Sequence, residues 1–157
     1  MLGARQRPPM TRIATPPVVL VLALVFAAGV RAGYSFEAPP SHPDWEPGVE
    51  ALQRLDYPTA ITHLMQVVTN QPDNADAQNA LGFAFLATRR YAPAMKHLRE
   101  ALRLNPRHPG AHENMGRAYL EAGNKAKARE HLATLEKLCS GSCQEQRSLE
   151  KAIAAAK

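Results

Sequence analysis

Six histidines and two cysteines are the residues of this 157-residue chain best suited to chemistry. His63, His97 and His131 stand 34 residues apart, and His108 and His112 flank Pro109 and Gly110. Cys139 and Cys143 form a Cys-x3-Cys pair around Gly141. Imidazole and thiolate suit zinc-like ions, but such an ion needs each donor atom about 2.0–2.3 Å away. Equivalent helices of a repeat pack roughly 10 Å apart, so histidines one period apart do not share an ion. The three are read as repeat-derived surface positions, and His108 with His112 as the turn and cap of a helix start.

The cysteine pair leaves three readings open. An even number of cysteines in an oxidising compartment suggests a structural disulfide, with Gly141 letting the loop close. A redox-active pair is the second, although the spacing departs from Cys-x2-Cys. A metal-binding pair is the third, and it needs further ligands from elsewhere. The other chemistry-bearing patterns are missing: no Gly-x-Ser-x-Gly, no His-Glu-x-x-His and no phosphate-cradling glycine loop. Acidic residues are scattered singly. The reading is a non-enzyme with no cofactor and no metal.

Charge narrows the function classes further. The formal charge is +5, with a pI near 9.5, which invites a nucleic-acid reading. Residues 1–32, however, hold Arg5, Arg7, Arg12 and Arg31 and no acid. The remaining chain is close to neutral, so nucleic acid is rejected as a partner. Basic Met1–Arg12 is followed by the uncharged apolar run Val18–Val30 and then small residues, the layout of a signal peptide. The run is shorter than the ~20 residues of a spanning helix, and Pro16 and Pro17 block its extension. Cleavage is expected after Ala32, with Gly29 as a second site. An uncleaved anchor is the alternative, and membrane contact is expected only in that case. Residues 33–43, GYSFEAPPSHP, read as a Pro-rich linker.

From residue 44 the chain repeats itself at 34 residues without a gap. Gly48, Gly82 and Gly116 coincide, as do Leu52, Leu86 and Leu120, Ala60, Ala94 and Ala128, and Leu64, Leu98 and Leu132. Each unit reads as two antiparallel helices. The glycine and the alanine allow close approach, Phe85 and Tyr119 fill the space between the pair, and Pro72 and Pro106 end the second helix. The expected helices are 44–54 and 58–70, 75–88 and 92–104, 109–122 and 126–138. Pro47 and Ala51 weaken the first unit, and Trp45 is expected to supply the missing bulk. A seventh helix follows Gly141, started by a Ser142/Glu145 capping box, with Leu149, Ala152, Ile153 and Ala156 on its apolar face.

These residues resemble the tetratricopeptide repeat (TPR) family over 44–138, most closely in ADAQNALGFAFLATRRYAPAMKHLREALRLNP. The resemblance implies an all-α, right-handed superhelix of three helix–turn–helix units (44–74, 75–108, 109–138) followed by a capping segment, 139–157. It also implies a concave groove lined by the first helices, holding a protein or peptide. Transferred by position, that groove shows Trp45, Val49, Asn79, Phe83, Glu113, Arg117, Leu120 and Glu121. Phe83 is expected to be an exposed aromatic beside Asn and Arg, the composition of a binding surface. Asn79, Asn114 and Arg117 only partly match the subgroup that clamps a terminal carboxylate, and acids sit beside them. The exported chain is also similar to small bacterial secreted TPR proteins that end in Cys-x3-Cys and a Leu/Ala/Ile helix. That similarity implies the periplasm. The expected function is a binding scaffold or adaptor. The alternative is a thiol- or metal-handling accessory, as in cofactor or cytochrome maturation, acting through Cys139 and Cys143.

Overall fold

The computed structural model describes residues 42–156, so the expected signal peptide and most of the expected linker lie outside the described residues. The described residues form seven helices: α1 (Trp45–Gln53), α2 (Tyr57–Asn70), α3 (Ala75–Ala87), α4 (Tyr91–Leu104), α5 (Pro109–Glu121), α6 (Lys125–Leu138) and α7 (Gln144–Ala155). Their starts follow the period. Asn74 and His108, 34 apart, cap the first helices of the second and third units through Ala77 and Ala111. Asp56 and Asn124 cap α2 and α6 through Thr59 and Lys127. The short α1 tolerates Pro47 because that residue sits in its first turn, where a missing N–H costs no bond. Trp45 is buried and fills the weak first unit, as its sequence suggested.

The turns inside each unit share one device. Asp56, Arg90 and Asn124 donate their backbone N–H back to Ala51, Phe85 and Tyr119 at 2.8–2.9 Å, closing the helix end. The preceding residue must then be left-handed: φ is 62° at Leu55, 59° at Arg89 and 73° at Gly123. Only the third unit uses the residue that adopts this conformation freely. Leu55 is also 67% exposed, so its side chain contributes little burial. Leu55→Gly is therefore expected to stabilise the fold by about 1 kcal/mol, read as a rise in thermal midpoint of a few degrees. A variant that melts at or below the parent would show that the turn carries no strain.

Packing inside each pair follows the glycine. A Cβ on Gly48 would stand 3.0 Å from Leu64, and one on Gly82 2.7 Å from Leu98. The third unit differs from expectation. A Cβ on Gly116 would meet Leu149 of α7 at 2.6 Å rather than Leu132 of its own second helix. Ala128, Leu135, Leu149 and Ile153 then make a separate buried cluster at this end. The seventh helix is itself in phase, since Leu81, Met115 and Leu149 are 34 apart and all buried. It is the first helix of a fourth unit, with Glu150 at the glycine register.

The cap of α7 corrects one expectation. Cys143 is the N-cap residue, and Ser142 accepts from Arg147 Nη1 at 2.9 Å in place of a capping box. Cys139 ends α6, and its sulfur is bonded to that of Cys143 across a Cα separation of 5.6 Å. The disulfide thus joins the C-cap of α6 to the N-cap of α7.

Candidate functional site: the inner seam of the first helices

Successive first helices touch: α1 with α3, α3 with α5, and α5 with α7. Successive second helices, α2, α4 and α6, stay further apart, with no Cα atoms within 8 Å of each other. The stack therefore bends toward the first helices and makes their row the inner face. The sequence assigned the groove to this row, and the burial of its residues requires correction.

Phe83 is only 9% exposed and belongs to the core, with its ring edge against Tyr57 at a centroid distance of 6.1 Å. It is not an exposed aromatic. Trp45, Asn79 and Glu113 are also buried. Val49, Arg117 and Leu120 are half-buried, and Glu121 is exposed, accepting from the Tyr91 hydroxyl at 3.1 Å. The reason is close approach. The alanine-rich first helices, with Ala77, Ala80 and Ala84 in α3 and Ala111 and Ala118 in α5, let the row close over its own floor.

That floor is polar. Asn114 donates to the side-chain oxygen of Asn79 at 2.9 Å, with both side chains buried. Ser148 of α7 donates to Glu113 at 2.6 Å, and Arg117 adds a longer bond to the same carboxylate oxygen at 3.4 Å. Burial pushes the Glu113 carboxyl up, against the opposing pull of Ser148 and Arg117. The side-chain oxygen of Asn114 is buried with no partner. Each seam pair is 35 residues apart, one more than the repeat. The offset arises because a helix meets its successor one position further along. The sequence held this signal, but only helix contacts select 35 over 34.

A second set of contacts overturns the surface reading of the histidines. His63 bonds Asp44 at 2.8 Å, His97 bonds Gln78 at 2.8 Å, and His131 bonds His112 at 2.9 Å. Each pair is 19 residues apart and pins a second helix to its first. Phe85 stacks on His97, and Tyr119 on His131, both at 5.6 Å. Burial lowers the affinity of His97 for a proton, helped by Lys96. Burial and the neighbouring His112 bring His131 down to about 4. The His112 and His131 ring centres are 5.2 Å apart, which is the nitrogen separation plus about one ring radius at each end. The two rings therefore face head-on across a hydrogen bond, whereas two ligands of one ion would converge at an angle. Among the described residues no group of three or more His, Cys, Asp or Glu is placed to hold a metal. His108 caps α5, as expected, and its other ring nitrogen lies 3.0 Å from the Asp76 carboxylate. That approach is close enough for attraction but not aligned as a hydrogen bond.

A stack of helical hairpins with an inner row of first helices is the architecture of a helical-repeat protein. Two family profiles described as tetratricopeptide repeat match residues 48–109 and 85–138. The chain belongs to the tetratricopeptide repeat family. Solved structures agree. The chain is similar to the yeast Sti1 TPR2B domain in a complex with an Hsp70 peptide, with TM-score 0.65 and 17% identity, covering 73% of this chain and 95% of that one. It is also similar to the second TPR domain of human RPAP3 in complex with an HSP70 peptide, with TM-score 0.62 and 22% identity, covering 69% and 91%. The first TPR of Spaghetti, bound to an HSP90 peptide, gives TM-score 0.61 and 18% identity, covering 70% and 90%. No match was found among curated protein sequences.

Proposed function

We propose that the chain is a non-catalytic scaffold that holds a protein or peptide segment against its inner row of first helices, in the bacterial periplasm. The observation that carries the reading is the row of first helices on the inner side of the stack, on which Val49, Arg117 and Leu120 stay half-buried rather than buried. The peptide complexes of the yeast and human domains support the same use of the fold. Arg117 is already engaged by Glu113, so a terminal carboxylate is a poor ligand here. The apolar N-terminal run supports export, and the bonded cysteine pair suits an oxidising compartment. Since Cys139 and Cys143 join two helix ends, they are assigned to holding α7 rather than to handling thiols.

Photo-crosslinking in the native compartment tests this. A crosslinker placed at Glu121, beside the inner row, is expected to give a discrete adduct. One placed at Lys96, on a second helix, is expected to give none. Arg117→Glu is expected to cut the Glu121 adduct at least tenfold while leaving helicity unchanged. Equal labelling from both positions would remove the inner row as the binding face.

A further inference from the structure

The three 19-residue joints occupy one register of the repeat yet differ in chemistry. The first-helix partner is a carboxylate in unit one (Asp44), an amide in unit two (Gln78) and a second imidazole in unit three (His112). Only the third joint sets two imidazoles against each other.

Proton counting at that joint is tightly constrained. His112 Nε2 lies 3.0 Å from the Pro106 carbonyl, so it carries a proton and donates. Neutral His112 therefore presents a bare Nδ1, and His131 must donate its own Nδ1 proton across the 2.9 Å gap. One further proton can be added at His131 Nε2 without breaking the bond. A second would set two N–H groups head-on. The folded joint thus holds at least one proton fewer than the two free imidazoles of the unfolded chain at low pH.

Among the described residues the pair hydrogen-bonds no carboxylate, and the Asp76 carboxylate lies 3.0 Å from His108 instead. From α5 the pair meets Tyr119, whose ring has the Lys127 ammonium 5.1 Å over it, and His108 lies one turn before His112. On α4, Glu100 and Arg103 bond each other. On α7, Glu150 bonds Gln146, Arg147 bonds Ser142, and Glu145 acts on Glu113. At the first joint, by contrast, a proton on His63 converts the bond to Asp44 into an ion pair.

We propose that this register makes the stack open from its C-terminal end in acid, with the His112–His131 joint releasing α6 from α5 while the Asp44–His63 joint holds. Release at α5 loosens the Glu113 and Arg117 end of the inner seam. The consequence for binding rests on the scaffold reading, whereas the joint itself does not. The sign follows from linkage. His131 is held below its ordinary value, so its contribution is present above about pH 6.5 and is lost as pH falls from there toward about 4. Glu113, held above its ordinary value, works in the opposite sense and gains stability as it protonates.

Hydrogen exchange of the partner-free protein, read by mass spectrometry and corrected for intrinsic rates, tests the proposal. From pH 7.5 to 5.0, protection of α5 and α6 is expected to fall about tenfold, a value reduced for the half-exposed ring. Protection of α1 and α2 is expected to change less than twofold. His112→Gln, which copies the joint of unit two, is expected to remove most of the difference, and Glu113→Gln to enlarge it. Uniform loss across the units, or undiminished acid loss in His112→Gln, would overturn the proposal. Should that variant not fold, the wild type still decides through nitrogen–nitrogen coupling between the two Nδ1 atoms. Coupling is expected at pH 7.5, and its absence there would overturn the joint. None of these readouts needs a partner, so the joint and the scaffold reading fail separately.

Discussion

Leu98→Ala is expected to lower the unfolding free energy by about 2–5 kcal/mol, and adding Gly82→Ala is expected to recover part of that loss. Leu98 is fully buried and lies where a Cβ on Gly82 would intrude at 2.7 Å. Truncating the leucine leaves a cavity against the glycine. Gly82→Ala alone forces Leu98 and the Ala94 carbonyl, 3.3 Å from the added carbon, to shift, and overpacking of this kind costs about 1–3 kcal/mol. In the double variant the new methyl enters the vacated space. The favourable coupling is expected to exceed about 1 kcal/mol, read from urea unfolding of the four proteins. Strict additivity would mean that the two helices do not meet at this point.

Ending the chain at Ser140 is expected to have the larger effect. Leu149 and Ile153 are buried against α5 and α6, and each such side chain contributes about 1.5–3 kcal/mol. Their loss also exposes Gly116 and takes Ser148 from the Glu113 carboxylate. The total approaches the ~5–15 kcal/mol that stabilises a typical domain. The third unit is expected to lose cooperative unfolding, seen as a broad thermal transition and early exchange of α5 and α6. Replacing both cysteines by serine is expected to cost only about 2 kcal/mol, because so short a loop removes little chain entropy. If the two changes proved equal, the disulfide rather than the apolar face would be holding α7.

The hairpins, their order and the closing helix were legible in the sequence because glycine, alanine and leucine recur at one interval. Their positions reflect backbone approach, which single residues dictate. The inner face was legible as a row but not as a surface. Phe83 reads as exposed until the alanines of α3 and α5 bring the helices together. The histidines misread for a related reason. Their partners lie 19 residues back and change type from Asp44 to Gln78 to His112, so no motif repeats there. The phase of α7 was hidden by Glu150, which stands where the marker glycine would be.

The offset of 35 in the seam has a consequence for shuffled chains. The units share one fold, yet the second and the third each meet their successor through a pair particular to that neighbour. Exchanging the second and third units would set Glu113 against Ala80, a methyl group that offers the carboxylate no hydrogen bond. It would also leave Asn79 facing a serine and Asn114 without its amide partner. The buried polar floor thus works as an addressing code that gives interchangeable parts only one correct order.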